Sequence, residues 1–295
     1  MIRPTLRQLE YIVAVADQRH FGRAAEACFV TQPGLSAQVR ELESLLELQI
    51  FERDSRRVLV TPAGAELVER ARKIRVEVDE RVEAARVAQQ PLCGTLRVGV
   101  IPTVAPYLLP RVIPKMRRKH RELHLRLRED HTVRIVAELE AGRLDLLLLA
   151  LEAELGNAQT LPLFRDDFLA VMPADHPLAR KKRLRQEDLN GQQVLLLEDG
   201  HCLRDQALAV CTAQGASELG DFRATSLSTL TQMVTDGEAM TLLPELALGV
   251  ETRGRRDLAV RPFRSPAPHR TIGLAWRPSS PREEEFRALA ESFSI

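Results

Sequence analysis

The sequence predicts an all-α unit at the N-terminus, closed by a two-stranded ribbon and a long charged helix, joined to a C-terminal α/β unit. Three observations carry this. Apolar residues recur at three- and four-residue steps through the first part of the chain, the mark of helices with one buried face. A Pro-Leu-Cys-Gly break at residues 91–94 interrupts that pattern. Beyond it, short apolar runs alternate with helical stretches, the rhythm of a sheet covered by helices. At 295 residues the chain exceeds what one hydrophobic core usually serves, so at least two domains are expected. A hydrophobic fraction of 44% against 28% charged residues excludes a disordered or fibrous class. No apolar run is long enough to span a bilayer, and no charged leader precedes a long apolar segment, so a cytoplasmic protein without membrane contact is expected.

Leu6, Leu9, Ile12, Val13 and Ala16 mark a first helix, and a second runs from Phe21 through Ala24, Ala25 and Cys28. Val30 breaks the pattern. Thr31 then offers a hydroxyl to an unpaired first-turn N–H, and Pro33 suits a first turn, where its missing N–H costs nothing. Leu35, Val39, Leu42 and Leu46 give this third helix a buried face. Ile50-Phe51 and Val58-Leu59-Val60 flank the polar turn Arg53-Asp54-Ser55-Arg56-Arg57 and read as a ribbon. Three helices and a ribbon make a winged helix-turn-helix, over residues 1–61. Thr61-Pro62 restarts a helix on which Leu67, Ala71, Ile74, Val78, Val82 and Ala85 form one apolar stripe among Arg and Glu residues. The stripe reads as a coiled-coil seam between two protomers in preference to a docking face, and this linker with its hinge covers residues 62–93.

In the remaining stretch, residues 94–295, strands are expected at 96–100, 123–127, 144–151, 168–172, 194–197, 222–225, 240–243, 258–262 and 272–276. Helices are expected at 107–119 and 133–141.

Residues 21–43, FGRAAEACFVTQPGLSAQVRELE, combine two features. Small Ala24 and Ala25 allow one helix to approach the next, whose inner face is Leu35, Val39 and Leu42. Thr31, Gln32, Pro33, Ser36, Gln38 and Arg40 are left near the outer face or the N-terminal end. Neutral hydrogen-bonding groups with one cation are the types that read base edges and hold phosphates. The segment resembles the helix-turn-helix of LysR-type transcription regulators. That resemblance implies double-stranded promoter DNA as partner, with Arg53, Arg56 and Arg57 of the ribbon turn against the backbone or in the minor groove. Bulk charge does not announce this, since residues 1–65 carry eight Lys or Arg against eight Asp or Glu. Few phosphate contacts per protomer imply two or more protomers on one site.

Four cysteines in a reducing compartment form no disulfide framework, so each needs its own explanation. Cys28 lies on the buried side of the second helix, and Cys93 sits in the hinge, where exposure is open to it, with nothing nearby to activate it. Cys202 follows the Asp199-Gly200 turn and precedes a run of helix formers, so it is expected at a helix N-terminus, where a thiol pKa falls. His201 and Arg204 would favour the thiolate further, while Glu198, Asp199 and Asp205 oppose it. Nine helical steps place Cys211 about 13 Å away. A disulfide needs Cα atoms within roughly 7 Å, so the two thiols cannot join while that helix persists. On spacing alone the blander reading, a buried small Cys211 and an incidental Cys202, outweighs a redox pair. No Cys or His spacing fits a metal site, and no Gly-rich phosphate loop or nucleophile elbow is present, so neither metal nor cofactor is expected.

The run His201-Cys202-Leu203-Arg204-Asp205-Gln206-Ala207 with Cys211 resembles the thiol-based peroxide sensors of the LysR family. Phe222-Arg223-Ala224-Thr225-Ser226, Thr241-Leu242-Leu243-Pro244, Arg270-Thr271-Ile272-Gly273-Leu274 and residues 101–110 extend the likeness over nearly the whole chain. It implies hydrogen peroxide as signal, Cys202 as the reacting thiol, Cys211 as the resolving one, and Thr103, Thr132, His201 and Arg270 as pocket groups. Hydroxyls orient a peroxide, and a cation stabilises thiolate and departing hydroxide. The resemblance further implies a two-lobed, periplasmic-binding-protein-like effector domain, with lobes 94–167 plus 269–295 and 168–268. A homotetramer on DNA, RNA polymerase as a further partner, and switching of antioxidant-defence genes without enzymatic turnover complete the picture. One residue departs: Asp221 stands where such sensors often carry histidine, and a negative charge there raises the thiol pKa or slows the reaction. Two alternatives stay open, a regulator whose crevice binds a metabolite and a peroxidatic enzyme turning over at Cys202. Gln32→Ala and Arg53→Ala are expected to weaken operator binding without unfolding the protein, as read in a gel-shift titration.

Overall fold

The computed structural model describes residues 3–53, 58–89, 91–234 and 239–293. Arg56 and Arg57 of the ribbon turn lie outside the described residues, as do the side chains of Arg53 and Asp221. The chain forms two compact units, Met1–Arg86 and Val87–Ile295. Among the described residues no helix is long and apolar enough to cross a membrane.

The first unit holds α1 (Leu6–Gln18), α2 (Phe21–Ala27), α3 (Gln32–Leu46), the ribbon β1 (Phe51–Arg53) and β2 (Val58–Val60), and most of α4 (Pro62–Gln89). Thr5 and Gln8 cap α1 reciprocally: the Thr5 hydroxyl accepts the Gln8 N–H at 3.2 Å and the Gln8 side chain accepts the Thr5 N–H at 3.0 Å. Thr31 caps α3, accepting the Gly34 N–H. Ile12, Ala24, Leu35, Val39 and Leu42 have no exposed surface, so the helices pack on the faces their spacing indicates. Cys28 is half-buried against this core, and burial pushes its thiol pKa up.

The ribbon is anchored by a carboxylate. Glu43 Oε1 accepts the backbone N–H groups of Ile50 and Phe51 at 2.9 and 3.1 Å, tying the end of α3 to the entry of the ribbon. The Thr61 hydroxyl donates to the Gln49 carbonyl at 2.7 Å and accepts the Gly64 N–H at 2.9 Å, which starts α4. At Gly64 the helix presses on the chain beneath it, where a Cβ would lie 2.4 Å from the Ile50 carbonyl oxygen. The start of the apolar stripe of α4 packs within its own unit. Leu67, with Val68 beside it, and Ala71 pack on the helix-turn-helix core, and Arg72 pairs with Asp17 of α1. Further along, Ile74, Val78 and Val82 are 44%, 36% and 69% exposed.

The second unit runs through β3 (Gly94–Val100), α5 (Ala105–Lys119), β4 (Leu123–Glu129), α6 (Thr132–Glu140), β5 (Leu146–Ala150), β6 (Gln159–Pro173) and β7 (Gln193–Leu197). It continues with α7 (Cys202–Ala213), β8 (Ser217–Ala224), α8 (Leu227–Val234), β9 (Thr241–Pro244), α9 (Glu245–Glu251), β10 (Leu258–Pro262), β11 (His269–Trp276) and α10 (Glu283–Ala290). In one half, β4, β3 and β5 are parallel and β11 lies antiparallel beside β5, over a core that includes Leu146, Leu148, Trp276 and Phe286. In the other, β9 and β10 flank β6, β7 pairs with β8, and Phe168, Met172, Leu196 and Leu243 are buried.

One long strand, β6, runs through both halves. Through Asp167, β6 pairs with β11; from Phe168 onward it pairs with β9 and β10. The sequence pattern indicates only residues 168–172, because Pro162, Arg165, Asp166 and Asp167 disguise the first half. Pro162 is accommodated opposite Gly273, next to the point where the β6–β11 register shifts. Cys93, assigned to an open hinge, is 7% exposed. Gly64→Ala is expected to destabilise the protein by about 1–3 kcal/mol, since a backbone carbonyl must shift to admit the methyl group; urea denaturation followed by circular dichroism reads this.

Candidate functional site

Cys202 is the first residue of α7 and lines a recess of about 150 Å³ with Ile101, Pro102, Thr103, His131, Thr132, Gly200 and His201. Three chain segments converge there: the loop after β3, the start of α6 and the start of α7. Crevices of this kind form at the carboxyl ends of parallel strands, where helix N-termini present unpaired N–H groups.

Arg270 is fully buried on β11. Its Nε donates to Asp166 Oδ2 at 3.0 Å, Nη1 to the Thr103 hydroxyl at 2.8 Å and Nη2 to the Thr103 carbonyl at 3.0 Å. Asp166, 2% exposed, pairs with it and through its second oxygen accepts the Leu246 N–H at 2.9 Å, at the start of α9. Asp166 went unrecognised in the sequence, where it sits in a charged run with no apolar partner to mark it.

Burial pushes the Cys202 thiol pKa up, and the Thr132 hydroxyl, the Arg270 charge and the Leu203 N–H oppose that without cancelling it. Burial therefore outweighs the lowering that the helix start contributes. Arg204 takes no part in activation, because its guanidinium is tied to Asp199 at 2.8 Å and to Glu218 at 2.8 and 3.0 Å. His201 is buried, and burial with His131 beside it lowers its pKa, so it stands as a neutral imidazole at neutral pH. Thr132 Oγ1 is buried beside the Cys202 thiol. Cys211 is 2% exposed in the core of the other half, and burial pushes its pKa up to about 11. Both thiols are unpaired, at the first and tenth positions of one twelve-residue helix, about 13 Å apart by helical rise.

On the first unit, Thr31, Gln32, Pro33 and Arg40 are exposed along α3, Ser36 and Gln38 are half-buried, and Gln38 donates to Glu41 at 2.8 Å. The N-terminal turn of α3 is thus a polar, open surface on a buried helix.

A helix-turn-helix with a ribbon, followed by an α/β unit with a crevice at the carboxyl ends of its strands, defines a bacterial DNA-binding regulator. Residues 6–65 match the bacterial regulatory helix-turn-helix protein, lysR family, and residues 89–294 match the LysR substrate binding domain, so this chain belongs to the LysR family. Within it, the chain is 45% identical over 287 residues to the DNA-binding transcriptional dual regulator OxyR of Escherichia coli K12, covering 97% of this chain and 94% of that one. Its fold is similar to a full-length OxyR cysteine-to-aspartate variant from Pseudomonas aeruginosa, with TM-score 0.80 and 37% identity over 99% of this chain and 95% of that chain. It is also similar to a hydrogen-peroxide-bound OxyR cysteine-to-serine mutant of Corynebacterium glutamicum, with TM-score 0.68 and 37% identity over 99% and 92% of the two chains.

Removing one partner of a buried ion pair leaves the other charge uncompensated, at about 3–5 kcal/mol. Asp166→Ala is therefore expected to lower stability by about 3 kcal/mol or more in urea denaturation, with the DNA-binding unit still helical by circular dichroism.

Proposed function

We propose that this regulator senses hydrogen peroxide through Cys202 and records the signal as a Cys202–Cys211 disulfide that changes its hold on promoter DNA. The observation that carries this is the placement of both thiols on α7: one beside Thr103, Thr132 and His201 at the helix start, the other buried nine residues on.

The chemistry follows from the groups present. The Cys202 thiolate attacks one peroxide oxygen, the O–O bond breaks, and the departing hydroxide takes a proton to leave as water, giving a sulfenic acid. Thr103 and Thr132 orient the peroxide by hydrogen bonds, neutral His201 closes the recess, and the Arg270 charge favours the thiolate and the developing hydroxide. Cys211 then attacks the sulfenic sulfur, a disulfide forms, and a second water leaves. Sulfur and sulfur cannot meet along an intact α7, so this step requires α7 to unwind and Cys211 to leave its core. One oxidation per chain coupled to refolding suits a switch better than turnover, which supports a non-enzymatic role.

The α/β unit works as a periplasmic-binding-protein-like effector domain with lobes 94–167 plus 269–295 and 168–268. Exposed Ile74, Val78 and Val82 supply a dimer seam on the linker helix, and two such dimers make a tetramer on double-stranded promoter DNA in the cytoplasm. Thr31, Gln32, Pro33, Ser36, Gln38 and Arg40 face the operator, Arg53, Arg56 and Arg57 the DNA beside it, and RNA polymerase is the downstream partner. Antioxidant-defence genes are the targets.

Mass spectrometry of the reduced protein after brief peroxide treatment is expected to find Cys202 linked to Cys211. Cys202→Ser is expected to abolish the peroxide response of a promoter reporter, and Cys211→Ser to retain a trappable sulfenic acid at Cys202 without a disulfide. A normal reporter response in Cys202→Ser ends the proposal.

A further inference from the structure

Three side chains beside Cys202 form a group that the peroxide chemistry leaves largely unused. His131 precedes α6, Glu198 follows β7 and His201 precedes α7, and each offers one ligand atom within 4.8 Å of the other two. The imidazole centroids of His131 and His201 are 4.3 Å apart and tilted by 49°. His201 is 3% exposed, and its Nε2 is buried without a hydrogen-bond partner. Neither imidazole caps the helix it precedes. Gly200, at φ +97°, makes the approach possible, because a Cβ there would stand 2.7 Å from His131 Nδ1.

Two imidazoles and one carboxylate are a zinc donor set that leaves a fourth position open. Bonds of about 2.0–2.1 Å put tetrahedral ligands roughly 3.3 Å apart, so side-chain rotation must close the group by no more than about 1.5 Å. The N-termini of α6 and α7 oppose a cation here, and the Glu198 carboxylate offsets them. Nitrogen donors in the majority select a borderline ion over calcium or magnesium, which take oxygen ligands.

We propose that His131, Glu198 and His201 bind a borderline divalent ion of the Zn²⁺ class, beside Cys202. An ion held there fills the recess that the preceding reading assigns to peroxide, so Zn²⁺ and peroxide compete. Only that competition rests on the peroxide reading.

The test is titration of the reduced, untagged full chain with CoCl2, followed by the visible absorption of tetrahedral Co²⁺. Wild type and Cys202→Ser are both expected to take up one Co²⁺ per chain, displaced by Zn²⁺, with affinity at least tenfold weaker in His131→Ala and in Glu198→Gln. Circular dichroism and operator gel shifts establish that each variant is folded; if His131→Ala unfolds, Glu198→Gln decides alone. No tetrahedral Co²⁺ in wild type, or binding lost in Cys202→Ser yet unchanged in the folded His131 or Glu198 variant, overturns the site. One equivalent of Zn²⁺ is then expected to slow Cys202 oxidation at least tenfold; an unchanged rate with Zn²⁺ bound overturns the competition and leaves the metal site standing.

Discussion

A guanidinium with no exposed surface organises the crevice. Arg270 can stay charged in the interior only because Asp166 pairs with it and Thr103 accepts from it twice, through hydroxyl and carbonyl. Charge burial of this kind is tolerated only when pairing and hydrogen bonding are complete. Asp166 also accepts from Leu246, so one carboxylate fastens β6, β11 and the start of α9 around a single charge. The two halves of the α/β unit share further polar ties: Tyr107 on α5 donates to Glu251 of α9 at 2.6 Å, and Gln206 on α7 donates to Glu152 at 3.3 Å. The Thr103 loop and the Arg270 strand are thereby held at fixed positions beside Cys202, and a polar pocket in an apolar interior needs that rigidity.

The thiols are held in reserve by burial. Desolvation disfavours thiolate at both positions, and at Cys211 no other cause opposes it. At Cys202 a hydroxyl, a cation and a helix N–H act against the burial penalty, so the sulfur is responsive without being permanently ionised. Cys211 has no such help, and an intact α7 keeps it both protonated and out of reach. The intact α7 thus sets both the burial of Cys211 and its separation from Cys202.

The DNA-binding unit follows a simpler logic. Its core is completed by residues at helical spacing, and its polar ends are satisfied locally by Thr5, Thr31 and Thr61. Glu43 is the exception, since its carboxylate bridges from α3 to the ribbon through two backbone N–H groups. With the inner face of α3 filled by Leu35, Val39 and Leu42, its N-terminal turn is free to carry hydrogen-bonding side chains to the surface.

Much of this was legible in order along the chain. Helices of the first unit, most strands of the second, the cap at Thr31 and the position of Cys202 at a helix start are local properties, and local properties follow from spacing, capping chemistry and turn residues. Most strands of the α/β unit could be located from their apolar runs, but the first half of β6 could not, because its register beside β11 tolerates Pro162 and a charged run that read as loop. The rise in the Cys202 pKa is not legible in the sequence, because burial sets it, and the groups that oppose it, Thr132 and Arg270, lie far along the chain, while Arg204 turns to Glu218. The cluster of His131, Glu198 and His201 leaves no trace in short-range spacing. What the sequence by itself determined is the order and kind of the elements and the chemical types available, since both depend on residues a few positions apart. Which charge is paired, which thiol is buried and which imidazoles meet was decided only by tertiary structure, because desolvation and Coulomb energy depend on distances between residues that the chain does not set until it folds.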